Sequence, residues 1–263
     1  MTKTLLLTGS TDGLGLETAK RLAALGHRIL LHGRNPQKLA AAEAALADGA
    51  CAGGYVADLS TLAGARAFAE AVAADQERLD VLINNAGVFN VREPRTADGL
   101  DVRFAVNTIA PYVLTKRLLP QLGEHGRVVN LSSAAQAPVD LAALVGDRAL
   151  SDGEAYAQSK LALTMWTRSL AHALDGRGPS LVAVNPGSFL GTKMVREAYG
   201  SQGKDIGIGV EILRRAVLEE EFASAAGRYF DNDAGRFADP HPSALDLAAC
   251  DAVVRAIEAA AGL

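Results

Sequence analysis

Cysteine is nearly absent from the 263-residue sequence, which contains only Cys51 and Cys250, far apart and without a CxxC pair. A disulfide framework or a thiolate zinc site needs more cysteines at closer spacing, so we predict two reduced thiols in a cytoplasmic protein. The five histidines are scattered and show neither HxxxH nor HExxH spacing. We therefore expect no metal site.

Aromatic residues are also scarce, at 5%, and the formal net charge is -4. Few aromatic rings argue against base stacking, and a negative chain has no general attraction to phosphate backbones or anionic lipid. The N-terminal run TLLLT is far shorter than the roughly 20 apolar residues of a membrane span or the core of a signal peptide. We therefore expect no nucleic-acid partner, no membrane partner and no secretion.

Aliphatic residues are plentiful, since 49% of the sequence is hydrophobic and 21% is charged, which is typical of a folded globular protein. Short aliphatic runs alternate with helical patterns, which predicts parallel strands covered on both faces. We predict a single α/β domain over residues 1–263, a doubly wound parallel sheet of about seven strands with helices on both faces. The strands are predicted at residues 4–8, 28–33, 55–59, 79–84, 127–132, 181–185 and 228–230, and the main helices at 14–25, 36–47, 61–76, 99–122 and 154–174.

Two connections, 134–154 and 188–226, are longer than is usual in such folds. Long loops at the carboxyl ends of parallel strands are where α/β proteins enclose their ligands. The segment 188–226 contains the helical pattern EILRRAVLEEEF and predicts a substrate lid; a peripheral insertion or interface is the alternative. The segment 134–154 predicts a loop insertion, with an interaction surface as the alternative.

The first predicted strand leads into Thr8-Gly-Ser-Thr-Asp-Gly-Leu-Gly15 and then into a helix. Glycines let the backbone turn sharply and approach a pyrophosphate, and the N-terminus of the following helix attracts that anion. Their placement between a strand and a helix predicts a dinucleotide-binding loop.

The second predicted strand ends in Gly33, Arg34 and Asn35, where an acidic residue would select NAD(H) by binding the ribose 2'-hydroxyl. The guanidinium of Arg34 is instead suited to a 2'-phosphate, so NADP(H) is favoured over NAD(H). A solvated surface charge is the alternative reading of Arg34, and Asp12 beside the phosphate loop argues mildly against a second phosphate.

Tyr156 and Lys160 are four positions apart in a predicted helix and therefore share one face. A cation beside a phenol stabilises the phenolate and lowers the tyrosine pKa, which suits proton transfer, while the lysine can also hydrogen-bond a ribose.

These motifs together resemble those of the short-chain dehydrogenase/reductase family, and the resemblance covers nearly the whole chain in the expected order. The matching segments are Thr8 to Gly15 (TGxxxGxG), the pair Asp58 and Leu59 that meets adenine, Asn84 to Gly87 (NNAG), Asn107, Ser133, Tyr156 to Lys160 (YxxxK), and Asn185 to Gly187 with Thr192.

The resemblance implies a Rossmann-like fold and a catalytic set in which Tyr156 exchanges a proton with the substrate oxygen and Ser133 orients that oxygen. It implies that Lys160 lowers the Tyr156 pKa and holds the ribose, and that Asn107 fixes a water that connects Lys160 to solvent. The cofactor-binding residues that it implies are Gly9, Ser10, Thr11, Gly13, Leu14, Gly15, Arg34, Asn35, Asp58, Leu59, Asn85, Ala86, Gly87, Tyr156, Lys160, Pro186, Gly187 and Thr192.

Tyr156 lies 23 positions after Ser133, a longer interval than in many family members. This interval, the GRN ending of the second strand and the segment 186–194 resemble the branch of retinol dehydrogenases and protochlorophyllide reductases. That branch implies NADP(H) and bulky apolar substrates.

We therefore predict an NADP(H)-dependent oxidoreductase that transfers hydride between nicotinamide and a carbonyl or a primary or secondary alcohol. Two alternatives stay open: a non-catalytic NADP(H)-binding sensor on the same fold, and a reductase of carbon–carbon double bonds. The expected partner is a small carbonyl or alcohol compound. Helices 99–122 and 154–174 pair subunits in much of the family, so a homo-oligomer, dimer or tetramer, is also expected.

Overall fold

One eight-stranded sheet runs through the molecule in the computed structural model, which describes residues 1–263. The strand order is β3-β2-β1-β4-β5-β6-β7-β8, and every neighbouring pair is parallel except β7 with β8. The strands are Thr4–Leu7 (β1), Arg28–Gly33 (β2), Cys51–Val56 (β3), Val81–Asn84 (β4), Arg127–Leu131 (β5), Ser180–Asn185 (β6), Tyr229–Asp231 (β7) and Arg236–Ala238 (β8).

Helices cover both faces of this sheet, which confirms the predicted doubly wound α/β fold. A π-helix, Ala105–Ile109, joins α4 to α5, and a short 3-10 helix, Pro242–Ala244, precedes the last helix. The α-helices are Gly13–Ala24 (α1), Pro36–Ala44 (α2), Leu62–Asp75 (α3), Val102–Phe104 (α4), Ala110–Leu122 (α5), Leu141–Leu144 (α6), Asp152–Leu174 (α7), Lys193–Tyr199 (α8), Gly207–Leu218 (α9), Glu220–Ala223 (α10) and Leu247–Ala261 (α11).

The alternation of side chains along the strands divides the interior into two apolar cores. Leu6 and Leu30 belong to the core that α3, α5, α7 and α11 cover. Leu5, Leu7 and Leu31 belong to the opposite core, under α1, α2 and α9. Because both of its faces are buried, the centre of the sheet is built from strands with near-continuous aliphatic runs, such as β1 and β4.

The predicted third strand, at 55–59, was placed too late. The strand is Cys51–Val56, and Asp58 and Leu59 lie in the loop that follows it. Its sequence, CAGGYV, has no aliphatic run because β3 is an edge strand whose side chains are mostly partly exposed. Helical and strand periodicity is weakest at such an edge, so the pattern pointed to the wrong residues.

Other boundaries also differ from the predicted ones. The predicted helix 99–122 begins only at Val102, because Asp101 caps its first turn by accepting a hydrogen bond from the Arg103 N–H. The π-helix Ala105–Ile109 then interrupts it. The sheet has eight strands rather than about seven, since the three-residue β8 folds back on β7. The helix α11 was not among the predicted main helices, although Asp246 caps its N-terminus.

Local signals mark the ends of two helices. Pro36 occupies the first turn of α2, and the Asn35 side chain caps this helix by accepting a hydrogen bond from Lys38 N at 2.9 Å. Gly26, just beyond α1, has φ +84°, the left-handed conformation that favours glycine at a helix end.

A buried cation positions the start of α7, the helix that carries Tyr156. Arg103 is fully buried and pairs with Asp101 at 2.6 Å and with Asp152 in the first turn of α7. Ser151 and Glu154 form a capping box at the same end. The helix therefore begins at Asp152, and its first turns are tied to the segment that precedes the π-helix.

The two long connections contain short helices. Segment 134–154 includes α6, and segment 188–226 comprises α8, α9 and α10 with their loops. None of the helices is both long enough and apolar enough to cross a lipid bilayer.

Candidate active site

The Gly-rich loop lies between the carboxyl ends of β1 and β4, where the strand order reverses direction. Gly9 has φ +63°, and a Cβ added there would lie 2.8 Å from Ala86 Cα. A Cβ on Gly15 would lie 2.2 Å from the Gly9 carbonyl oxygen. Only glycine fits at these two positions, so the loop packs directly against the NNAG segment.

Asn85 and Thr8 tie the NNAG segment to the loop. The Asn85 amide donates to the carbonyl oxygens of Thr8 and Gly9, at 2.8 and 3.0 Å. The Thr8 hydroxyl oxygen accepts from the backbone N–H groups of Asn85 and Ala86, each at 3.0 Å. Sequence reasoning placed Thr8 in the motif but not among the binding residues, and the structure shows that it braces the loop.

The charge of Asp12 is balanced by a neighbour that sequence reasoning missed. Its side chain caps α1 by accepting from Gly13 N at 2.8 Å and pairs with Lys38 at 2.9 Å. The Lys38 hydrogen bond holds the pKa of Asp12 below its usual value. Asp12 therefore argues less strongly against a second phosphate than its sequence position indicated.

Arg34 and Asn35 follow β2 at the surface beside this loop. The Arg34 side chain is exposed and forms no ion pair, so its guanidinium is available to an anion. The Asn35 side-chain oxygen is used by the α2 cap, which leaves its amide N–H groups for any other partner. Both residues stay predicted cofactor contacts.

Asn107 lies in the π-helix, and its buried side chain is fully engaged by protein atoms. Its amide donates to Val88 O and to Ser159 Oγ, each at 3.0 Å, and its oxygen accepts from Val88 N at 2.8 Å. The widened turn of a π-helix is frequently found at functional sites. Here it lets Asn107 fix the loop after β4 through its side chain. Its water-holding role stays a prediction.

Lys160 is buried at the carboxyl end of β5. Its ammonium donates to Leu131 O at 2.7 Å and lies 5.8 Å from the centre of the Tyr156 ring. Burial lowers the pKa of Lys160 to about 8. A Cβ on Gly87 would lie 3.6 Å from the Lys160 Nζ and 3.4 Å from the Asn107 side-chain oxygen, so the absence of a side chain at Gly87 keeps the space beside Lys160 open.

Tyr156 and Ser133 come together across the gap between α7 and the end of β5. Burial raises the pKa of the Tyr156 phenol, and a hydrogen bond with Ser133 opposes that rise. Ser133 Oγ also accepts from Ala135 N at 3.1 Å. We expected Lys160 to lower the Tyr156 pKa; burial dominates instead, because the ammonium is directed at a backbone carbonyl.

The loop after β6 is held by the β7–β8 hairpin. The Asn185 amide donates to Asp231 and Asp233, each at 2.9 Å, and the Ser188 hydroxyl donates to Asp233 at 2.6 Å. Burial favours a higher pKa for Asp233, but hydrogen bonds from Ser188 and Asn185 bring it below its usual value. Sequence reasoning missed both aspartates, because the hairpin lies some 45 residues further along the chain.

The same loop brings the remaining predicted residues to the phosphate loop. Gly187 has φ +122°, and Thr192 caps α8 by accepting from Val195 N at 3.3 Å. A Cβ on Gly13 would lie 3.9 Å from the Thr192 methyl group, so Thr192 lies against the N-terminus of α1. The two segments predicted to enclose the cofactor therefore face each other.

Four aromatic side chains pack in a row that includes Tyr156 and is called here the aromatic cluster: Tyr156, Phe89, Tyr199 and Phe189. Phe89 lies 4.8 Å from the Tyr156 ring and 6.0 Å from the Tyr199 ring, and Phe189 lies 5.2 Å from Tyr199. Phe189 and Tyr199 are 52% and 57% exposed. Phe189 also has φ +58°, a conformation that a bulky side chain rarely adopts. Sequence reasoning did not single out these three neighbours of Tyr156.

A Gly-rich loop at the first helix N-terminus, placed at the reversal point of a doubly wound sheet, defines a dinucleotide-binding α/β protein. The chain belongs to the short chain dehydrogenase family, whose family model matches residues 3–203. Within the family it is of the retinol dehydrogenase-like branch.

Two relatives illustrate that branch. "Retinol dehydrogenase 12" of Bos taurus is 40% identical over 204 residues, which are 75% of this chain and 64% of the bovine protein. The protein of the same name from Mus musculus is 35% identical over 246 residues, which are 88% of this chain and 78% of the mouse protein. The aligned part of this chain thus spans less than two thirds of the bovine protein's length and about four fifths of the mouse protein's length.

Solved structures share the fold. An uncharacterised protein from Mycobacterium Paratuberculosis has a TM-score of 0.81 and 28% identity, over 99% of this chain and 93% of that one. A short chain dehydrogenase from Burkholderia cenocepacia, in complex with NADP, has a TM-score of 0.69 and 30% identity, over 88% of this chain and 95% of that one.

Proposed function

We propose that the protein is an NADP(H)-dependent oxidoreductase that interconverts a carbonyl compound and its alcohol, with Tyr156 as the general acid and base. The observation that carries this proposal is the meeting of Ser133, Tyr156 and Lys160 at the edge of the sheet where the Gly-rich loop lies. A protein that only sensed the dinucleotide would need the loop but not these three side chains.

The residues present fit a dinucleotide. The pyrophosphate would lie at the N-terminus of α1, whose first backbone N–H groups have no intrahelical partner. Lys160 has three donors, and Leu131 O takes one, which leaves two for a ribose beside Gly87. A bound nicotinamide would supply or accept the hydride.

The chain's own residues then handle the proton. Burial keeps the Tyr156 phenol neutral, and the neutral phenol is the form that donates a proton to a carbonyl oxygen. The Ser133 hydroxyl, which hydrogen-bonds Tyr156, would bind the same oxygen and orient it. The reverse sequence, with Tyr156 accepting a proton, serves alcohol oxidation.

The proposed preference for NADP(H) depends on Arg34. Its guanidinium is exposed, free of ion pairs and next to the phosphate loop, and no acidic side chain stands at the end of β2. The ion pair with Lys38 balances the charge of Asp12, the nearest negative charge to this loop. The Burkholderia cenocepacia relative in complex with NADP supports the same preference.

The aromatic cluster supports a bulky apolar substrate. Phe89, from the loop after β4, packs against Tyr156, and Tyr199 and Phe189 of the segment 188–226 extend the cluster from Phe89. Large exposed apolar rings at a reactive centre are suited to bury an apolar ligand. We therefore propose that 188–226 acts as the substrate lid.

A substrate panel tests the proposed function. The purified protein is mixed with NADPH or NADH and with small ketones, long-chain aldehydes, conjugated aldehydes and an α,β-unsaturated ketone, and nicotinamide absorbance is followed. We expect NADPH consumption to be fastest with the bulky apolar aldehydes and the product to be the alcohol.

Two outcomes would contradict the proposal. NADPH binding without turnover of any compound would favour the sensor. A product of the unsaturated ketone that is saturated at the carbon–carbon bond but still a ketone would favour the double-bond reductase.

A further inference from the structure

His32 is a buried titratable residue on β2 that the proposed chemistry does not use. It is 4% exposed and stands two residues before Arg34. Its ring touches two backbone groups on opposite sides: Gly9 N lies 3.1 Å from Nδ1, and Ala57 O lies 3.2 Å from Nε2. Few buried side chains in the molecule bridge two loops in this way.

The two contacts determine the state of the ring. A backbone N–H can only donate, so Nδ1 must be unprotonated; Nε2 then carries the hydrogen and donates it to the Ala57 carbonyl. Burial lowers the pKa of His32 to about 4, so the ring is neutral near pH 7. Phe68 stacks on it at 4.6 Å between ring centres, which fixes its plane.

The two backbone groups belong to the two loops that are predicted to contact the pyrophosphate and the adenine of a dinucleotide. Gly9 opens the phosphate loop, and Ala57 precedes the predicted adenine contact Asp58. The connection is reinforced by Ser10, whose hydroxyl accepts from His32 N at 2.8 Å and donates to His32 O at 3.2 Å. His32 thus joins the phosphate loop, β2 and the adenine-side loop.

We propose that His32 is a positioning residue that sets the separation of the phosphate loop and the Asp58 loop, and thereby sets the affinity for NADP(H). This inference rests on the proposed function. His32 touches neither the reacting atoms nor the space around Tyr156, so its loss weakens cofactor binding and leaves the rate at saturating cofactor unchanged. Replacing a histidine that only packs in the core would instead change both the cofactor affinity and the rate at saturating cofactor, or neither of them.

Three variants separate the two contacts. His32→Leu removes both hydrogen bonds. His32→Asn keeps an acceptor for Gly9 N but does not reach Ala57 O. His32→Gln keeps a donor for Ala57 O but loses the acceptor for Gly9 N. The matched control is His27→Leu, since His27 is 8% exposed and its Nδ1 accepts from Lys3 N at 3.2 Å at the opposite end of β2.

NADPH affinity is measured by fluorescence titration, and kcat at saturating NADPH. We expect His32→Leu to weaken NADPH binding by about tenfold or more, the scale of losing a hydrogen bond in a buried loop, with kcat within about twofold of wild type. The NADPH affinities of His32→Asn and His32→Gln should lie between those of His32→Leu and wild type. These two variants provide the test if His32→Leu does not fold. His27→Leu binds NADPH like wild type.

Folded His32 variants that bind NADPH like wild type would overturn the inference, as would a loss of affinity matched by His27→Leu or by a parallel loss of kcat. A wild-type protein that does not bind NADPH would overturn the proposed function itself, so the two failures are distinguishable.

Discussion

Tyr156 and Lys160 share one face of α7, and burial holds both of them toward their neutral forms. Burial raises the pKa of Tyr156 and lowers that of Lys160 to about 8, because a low-dielectric site disfavours either charge. A phenol kept protonated is prepared to donate, and an ammonium that is easily deprotonated is prepared to relay a proton. In the proposed mechanism, these two pKa shifts suit carbonyl reduction near neutral pH.

Arg34 is the residue on which the proposed preference for NADP(H) depends. We expect Arg34→Ala to raise the KM for NADPH by about 10- to 100-fold, because a charge-assisted hydrogen bond is worth about 1.5–3 kcal/mol. The KM for NADH should stay within about twofold, since it lacks the phosphate that Arg34 would bind. Steady-state kinetics with each cofactor give both values.

Arg28→Ala is the matched control for that variant, because Arg28 is also exposed and lies at the other end of β2. It should change neither KM. If Arg34→Ala raised both cofactor KM values equally, or neither, Arg34 would not be the group that reads the phosphate.

The β7–β8 hairpin acts on the site as an element, although its two strands are only three residues each. Its turn presents Asp233 to the backbone and hydroxyl of Ser188 and to the Asn185 amide. Asn232 adds a hydrogen bond to Pro186 O at 2.9 Å. These four hydrogen bonds, together with the bond from Asn185 to Asp231, connect the hairpin to residues 185–188 and hold that loop in one conformation.

Asp233→Asn should loosen this loop, because an amide has one acceptor oxygen, whereas the Asp233 carboxylate has two acceptor oxygens for the three donors that converge on it, from Asn185 and Ser188. We expect the KM for NADPH to rise by about tenfold, the scale of one charge-assisted hydrogen bond, with a smaller change in kcat. Kinetics and a thermal unfolding curve measure both effects.

Asp239→Asn, just beyond β8, changes an exposed aspartate that makes no hydrogen bond or ion pair, and should leave KM and kcat unchanged. A KM for the Asp233→Asn variant equal to that of wild type would show that the hairpin does not position the loop.

At the scale of the whole molecule, local signals predicted the parts that are continuous in sequence. Aliphatic runs gave most of the sheet because strands buried on both faces need them throughout. The Gly-rich loop could be predicted from sequence because neighbouring backbone atoms leave no room for a Cβ at Gly9 and Gly15, so glycine is required at both positions. The edge strand β3, with its glycines, gave no such signal and was placed too late.

The parts that sequence reasoning missed are contacts between distant segments. Nothing near His32 indicates that its ring joins Gly9 to Ala57, and nothing near Asp233 indicates that it holds Ser188. Likewise, Phe89 comes from the loop after β4, Phe189 from the loop after β6 and Tyr199 from the end of α8, and the three rings meet only in the folded chain. Such pairings depend on topology, which no single stretch of sequence specifies.

The most direct test of the account is Tyr156→Phe, because the ring keeps its place 4.8 Å from Phe89 while only the hydroxyl is lost. With the best substrate of the panel, we expect kcat to fall by about 100-fold or more, the usual contribution of a positioned general acid, and NADPH affinity to stay within about twofold. A kcat within a few-fold of wild type would contradict the central claim that Tyr156 transfers the proton.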